Sequence, residues 1–127
     1  MSKRESPAAP HFVVVVDDDA AVRSSLKFAI EMQGFEVTAC SAGEDLLLLD
    51  LPASGGCLVV DERLPGVSGL EAIQELRRRG VSLPAALITS HPRAALRAAA
   101  QRTNVPIIEK PLLGDGLMNW IRASLGE

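Results

Sequence analysis

The sequence predicts a doubly wound α/β sandwich, a parallel sheet carrying helices on both faces. Three observations lead there. Val13–Val16, Cys57–Val60 and Ala85–Ile88 are short, wholly apolar runs, as expected of strands buried on both sides. Segments of helical periodicity separate them. Each run also stops at polar residues: Asp17-Asp18-Asp19, Asp61-Glu62 and Thr89-Ser90.

The elements follow in order. After Val13–Val16, the residues Val22, Leu26, Ala29 and Ile30 recur at helical spacing, and Gly34 ends the pattern as a C-terminal glycine. Phe35–Cys40 alternates enough for a short strand. Ser41-Ala42-Gly43-Glu44 has the form of a capping box opening a Leu46–Leu49 helix, and Pro52 with Gly55-Gly56 marks a turn. Cys57–Val60 is the third strand. Beyond Leu64-Pro65-Gly66, Ser68-Gly69-Leu70-Glu71 forms a second capping box, and its helix buries Leu70, Ile73 and Leu76 while turning Arg77–Arg79 to water. Ala85–Ile88 precedes an alanine-rich helix over Arg93–Gln101 with a polar stripe at Arg93, Arg97 and Gln101. Val105–Ile108 is the last strand, ending at Glu109-Lys110-Pro111. The final helix carries Leu113, Leu117, Trp120, Ile121 and Leu125 as one stripe. Five strands thus alternate with five helices, the signature of helices packed on both faces of a parallel sheet.

Composition narrows the function. At 127 residues the chain makes one domain with a real core, and 47% apolar with 23% charged residues is the balance of a globular protein. A net charge of −3 gives no electrostatic footprint for nucleic acid. Cys40 and Cys57 are too few for a disulfide framework and sit in or beside apolar runs, so buried, reduced thiols and a cytoplasmic setting are expected. No segment has the length of a membrane span, and Lys3-Arg4 lack the apolar stretch of a signal peptide. Residues 1–10, with Pro7 and Pro10, are expected to be a flexible lead-in to a domain over 11–127.

In such sheets the functional crevice lies beyond the carboxyl ends of the strands. Three adjacent acids there are costly, because each carboxylate resists ionising beside the next. Hard oxygen ligands clustered in this way suit Mg²⁺ or Ca²⁺. Asp61, Thr89 and Lys110 reach the same edge from three other strands. Singly, each has a plain structural role: Asp19 a helix cap, Asp61 a strand end, Thr89 a β-branched strand residue, Lys110 a surface charge. Their convergence points to one site.

Those residues carry a resemblance. Through Val16-Asp17-Asp18-Asp19, Leu58-Val59-Val60-Asp61 with Leu64-Pro65-Gly66 and Gly69, Ile88-Thr89-Ser90, and Lys110-Pro111, the chain resembles the receiver domain of two-component response regulators over residues 12–125. That CheY-like resemblance implies a flavodoxin-like (βα)5 sandwich with strand order 2-1-3-4-5. It makes Asp61 the phosphorylated aspartate. Asp17 and Asp18 would hold Mg²⁺ together with Asp61 and the backbone carbonyl of Arg63, with Mn²⁺ able to substitute. Asp18 would be the direct ligand, Asp17 its partner through water, and Asp19 a helix cap. Thr89 would contact a phosphoryl oxygen and Lys110 would pair with the phosphate. The implied partners are a sensor histidine kinase or phosphotransfer protein, and a downstream protein or output domain. A homodimer through the fourth helix, fifth strand and fifth helix is a further expectation, with Arg93, Arg97, Gln101, Ile107, Asn119 and Arg122 as candidate contacts. Neither nucleic acid nor membrane is expected to bind this segment. No enzymatic activity is expected beyond self-phosphorylation and autodephosphorylation.

The chain departs from the family at several points. Ile107 stands where Phe or Tyr usually serves as the switch, and an aliphatic side chain cannot reproduce a ring swing. Ser90–Lys110 is slightly short, with Asn104 where Gly-Ala is common, so the helix near Arg93 is expected to be short or loosely packed. Arg63 and His91 occupy positions that tend to tune dephosphorylation, and histidine titrates near neutrality. The style of Asp61–Gly69 resembles receivers attached to a helix-turn-helix output domain, so a stand-alone regulator and the receiver part of a transcriptional regulator are both open. Other readings are a receiver with a decayed switch that binds a partner constitutively, and an aspartyl-phosphate phosphohydrolase. The hydrolase needs a second acid where Arg63 stands, and no glycine-rich loop follows the first strand to support a nucleotide or flavin module.

Overall fold

Alternate residues of each buried strand face opposite helical layers, and the valine run divides accordingly. A computed structural model describes residues 11–112 and 114–127. Strands β1 (Phe12–Val16), β2 (Glu36–Cys40), β3 (Gly56–Asp61), β4 (Ala85–Thr89) and β5 (Ile107–Glu109) alternate with helices α1 (Ala20–Glu31), α2 (Gly43–Leu47), α3 (Gly69–Arg78), α4 (Ala94–Arg102) and α5 (Gly116–Ser124). All strand pairs are parallel, in the order β2-β1-β3-β4-β5. The sandwich and strand order expected from the sequence are those observed.

Val14, Val16, Leu58, Val60 and Leu87 face one layer, where Leu46 of α2, Leu70, Ile73 and Leu76 of α3 and Ala100 of α4 cover them. Val13, Val15, Cys57, Val59 and Ile88 face the other, covered by Ile30 of α1 and Leu117 and Ile121 of α5. β-branched side chains suit the pleated, doubly buried surface, and two aliphatic cores result. Burial pushes the Cys57 thiol up to about 12, and Cys40 is raised by burial and then by Asp45. Both thiols are free and buried, the inert kind.

Several elements differ from the sequence reading. Ser41–Glu44 does not form a capping box: Ala42 is the N-cap of α2 and offers no side chain to it. The Glu44 carboxylate accepts instead from the Val67 amide at 3.2 Å, across to the loop after β3. Helix α2 runs over Gly43–Leu47, ending before the expected Leu49, and Leu48 is exposed. The last strand begins at Ile107, because Pro106 has no N–H for the ladder. Of the α1 stripe only Ile30 is fully buried, and Ala29 is exposed. Arg77 is half-buried, its guanidinium donating to the Val81 carbonyl at 3.0 Å. Helix α4 runs nine residues but buries only Ala100, and Asn104 takes φ +63° just beyond its C-cap, a left-handed conformation that Asn tolerates. The expected lead-in and Leu113 lie outside the described residues. Among the described residues no helix is long and apolar enough to cross a membrane.

The second capping box is present. Ser68 Oγ accepts from the Glu71 amide at 3.2 Å, and Glu71 returns the bond to the Ser68 amide at 2.9 Å. It starts α3 directly beneath the carboxyl end of β3.

Candidate functional site

Strand register brings the polar residues together. Val16 pairs with Val60, so Asp17 and Asp61 emerge side by side from adjacent strands. Thr89 ends β4 opposite Glu109, and the Lys110 amide donates to the Thr89 carbonyl at 2.9 Å. The Lys110–Pro111 peptide is cis.

Carboxylate oxygens of Asp17, Asp18 and Asp61 all lie within 4.8 Å of one another. Asp17 is 0% exposed and Asp61 4%, whereas Asp18 is open to solvent. Two buried acids so close demand a counter-charge, and Lys110 supplies it: its Nζ lies 3.2 Å from Asp17 Oδ2 and 3.2 Å from Asp61 Oδ2. The Asp61 carboxyl is nevertheless raised above the usual carboxylate range, first by burial and then by Asp17, with Lys110 opposing. Burial pulls the Lys110 ammonium down, but its hydrogen bonds and charge contacts with Asp17 and Asp61 outweigh this and leave it raised. Positive charge is therefore still favoured at the cluster. Three carboxylates with this spacing match the hard-oxygen donor set of a small divalent cation.

The backbone is equally fixed. Asp61 Oδ1 accepts from the Arg63 amide at 3.2 Å, and Gly69 packs on the Asp61 carbonyl. Gly66, at φ +75°, lets the loop turn between them. Asp19 caps α1 as expected, accepting from Ala21 and Val22 at 2.9 and 3.2 Å. Thr89 is buried, its hydroxyl donating to the Ser90 carbonyl at 3.4 Å.

Beyond the cluster, Arg63, His91, Arg93, Thr89 and Glu62 line a cavity of about 450 Å³. His91 is exposed and holds φ +47° ahead of Pro92, an unusual backbone state before proline. Ile107 is half-buried, pairs with Leu87 and packs on the aliphatic layer, apart from the carboxylates. Of the candidate output contacts, Arg97 is tied to Glu109 at 2.6 Å and Arg122 donates to Gln33; Arg93, Gln101 and Asn119 are exposed.

Sequence reasoning missed two contributors. Glu62 Oε1 accepts from the Leu70 amide at 2.8 Å, clamping the start of α3 to the end of β3, and burial raises its carboxyl. Arg23 Nη1 donates to the Asp17 carbonyl at 2.9 Å. Its place just inside α1 was a usable signal, since helical side chains lean back toward the N-terminus.

A doubly wound (βα)5 sheet with an acid just after β1, another ending β3, a hydroxyl ending β4 and a lysine after β5 defines a receiver-type domain. The family model for the response regulator receiver domain matches residues 13–122, and the chain belongs to that family of two-component regulators, in which a phosphorelay role is general. It is 38% identical over 115 residues to the transcriptional regulatory protein FixJ of Azorhizobium caulinodans, covering 90% of this chain and 54% of that protein. It is 32% identical over 114 residues to the transcriptional regulatory protein TdiR of Thauera aromatica, covering 89% of this chain and 50% of that one. The chain thus spans about half the length of the curated relatives it matches. Among solved structures it superposes on FixJ-N with a TM-score of 0.82 at 30% identity, covering 94% of this chain and 96% of that one. The response regulator StyR gives a TM-score of 0.85 at 32% identity, over 93% of this chain and 60% of that chain.

Proposed function

We propose that Asp61 accepts a phosphoryl group from a phosphohistidine of a sensor kinase or phosphotransfer protein. An Asp61 carboxylate oxygen forms the new P–O bond as the P–N bond breaks, and the departing imidazole nitrogen keeps the electron pair and takes a proton. The observation that supports this is the buried Asp17–Asp61 pair under a single shared lysine at 3.2 Å. A carboxylate approaching an anionic phosphoryl group needs its charge offset, and Lys110 lies within reach of both.

Asp17, Asp18 and Asp61, with the Arg63 carbonyl, would hold Mg²⁺, for which Mn²⁺ can stand in; a bound ion would supply positive charge that offsets the approach of two anionic groups. Thr89, at the end of β4, would donate to a phosphoryl oxygen after transfer, and Lys110 would pair with it. The aspartyl phosphate carries about two negative charges in place of one, which draws the Thr89 and Lys110 loops toward Asp61 and changes the α4-β5-α5 face. Ile107 transmits this without a ring swing, through movement of the loop after Thr89. Arg63 and His91, lining the cavity beside Thr89, would set access of the hydrolytic water and so the lifetime of the phosphate. The domain acts as a switch for an output domain or partner protein rather than as an enzyme turning over a separate substrate.

The test is phosphoryl uptake from a small phosphodonor, followed by intact mass. One added phosphoryl group in Mg²⁺ and none in EDTA is expected. Uptake of the same extent in EDTA would contradict the metal-assisted transfer. A receiver with a decayed switch that binds its partner constitutively would still take up the phosphoryl group, and its α4 region would be the same with and without beryllofluoride.

A further inference from the structure

Asp17 is held on every polar atom. Its amide donates to the Cys40 carbonyl at 3.1 Å, its Oδ1 accepts from the Asp19 amide at 2.9 Å, and its Oδ2 accepts from Lys110 at 3.2 Å. The remaining atom, the carbonyl oxygen, takes the Arg23 guanidinium at 2.9 Å. That carbonyl belongs to the peptide joining Asp17 to Asp18. Fixing its plane fixes the direction in which the next residue leaves the strand. Asp18 is open to solvent, and no side-chain hydrogen bond to it is present among the described residues, yet its carboxylate lies within 4.8 Å of those of Asp17 and Asp61.

The location of Arg23 is unfavourable for the helix that bears it. It is the fourth residue of α1, near the positive end of the macrodipole, where an acid is preferred; the first turn of α1 holds none. Its charge also sits beside a site that takes a cation, where simple Coulomb repulsion opposes binding. Both terms argue against a bystander.

We propose that Arg23 is a positioning residue for the cation site, gripping the Asp17–Asp18 peptide so that the Asp18 carboxylate is directed at Asp61. The inference rests on the reading that this site takes Mg²⁺. Partners that orient a metal ligand without touching the ion typically change affinity tenfold or more. Charge and geometry predict opposite signs here: removing the guanidinium tightens Mg²⁺ if only its charge matters, and weakens it if it holds the peptide.

Calorimetric Mg²⁺ titration of the whole chain decides between them, using wild type, Arg23→Met and Arg23→Lys, with melting of each recorded in EDTA. Arg23→Met keeps the apolar stem and loses the donors, whereas Arg23→Lys keeps a charged donor on a flexible stem. The expected result is about tenfold weaker binding in Arg23→Met, largely recovered in Arg23→Lys. Binding in Arg23→Met equal to or tighter than wild type overturns the inference alone. So does equal weakening in both variants with equal loss of melting temperature, which assigns the effect to the fold. A wild-type chain that takes up no Mg²⁺ overturns the phosphoacceptor reading, and this inference with it.

Discussion

Asp61→Asn is expected to accept no phosphoryl group and, in metal-free buffer at neutral pH, to melt above wild type. The nucleophilic oxygen pair is gone, so uptake falls to background. Stability moves the other way because Asp61 is costly in the free protein. Its carboxyl is raised by burial and by the neighbouring Asp17, more than Lys110 offsets. An acid raised in the folded state holds its proton more tightly there than in the unfolded chain. Folding therefore loses stability as pH rises from the ordinary carboxyl value of 3.8, and the full cost stands above the raised value. Asparagine removes this cost, while Lys110 keeps Asp17 as a partner. A gain on the order of 1 kcal/mol is the usual scale for relieving a destabilised functional site. It should fade in acid, below the unfolded pKa. Thermal melts in EDTA at neutral and acid pH check this, and a variant that melts lower at neutral pH contradicts the charge account.

Gly69→Ala is expected to damage fold and site together. A Cβ there would lie 2.3 Å from the Asp61 carbonyl oxygen and 2.9 Å from both the Asp61 carbonyl carbon and Glu62 Cα. All three are backbone atoms at the carboxyl end of β3, so no side chain can swing away. Either α3 lifts off β3, breaking the Glu62–Leu70 clamp, or Asp61 shifts from Lys110. Overpacking of this kind costs about 2–3 kcal/mol, and the displaced Asp61 should slow phosphoryl uptake in the fraction that folds. Urea unfolding with an unchanged slope gives the stability term directly. A midpoint equal to wild type would contradict the close approach.

Those two residues also show how the sequence encodes the site. Asp61 was legible because an apolar run ends in it, and Asp17, Thr89 and Lys110 because each ends or follows a strand in a parallel sheet. Strand periodicity and the rule for sheet edges place such residues without any knowledge of side-chain packing. Glu62 and Glu44 were not legible in this way, and Arg23 was signalled only by its place just inside α1. Their roles depend on which backbone groups tertiary packing leaves open to them: the Asp17 carbonyl, the Leu70 amide and the Val67 amide. Glu44 is the instructive case. Its local pattern matches a capping box, yet the carboxylate is taken by a loop 23 residues away, and Ala42 caps α2 instead. Pro106 moved the start of β5 for a more local reason, its missing N–H, which was readable and outweighed by the apolar run around it.

The central claim is that Asp61, and no other acid of the cluster, carries the phosphoryl group. Borohydride reduction of the phosphorylated chain, followed by peptide mass mapping, tests it most directly, since an acyl phosphate on aspartate is cleaved by hydride to leave homoserine. Homoserine at position 61 alone, in wild type treated with Mg²⁺ and phosphodonor, is the result predicted. Homoserine at Asp17 or Asp18, or phosphoryl uptake with no reducible aspartate, would contradict it.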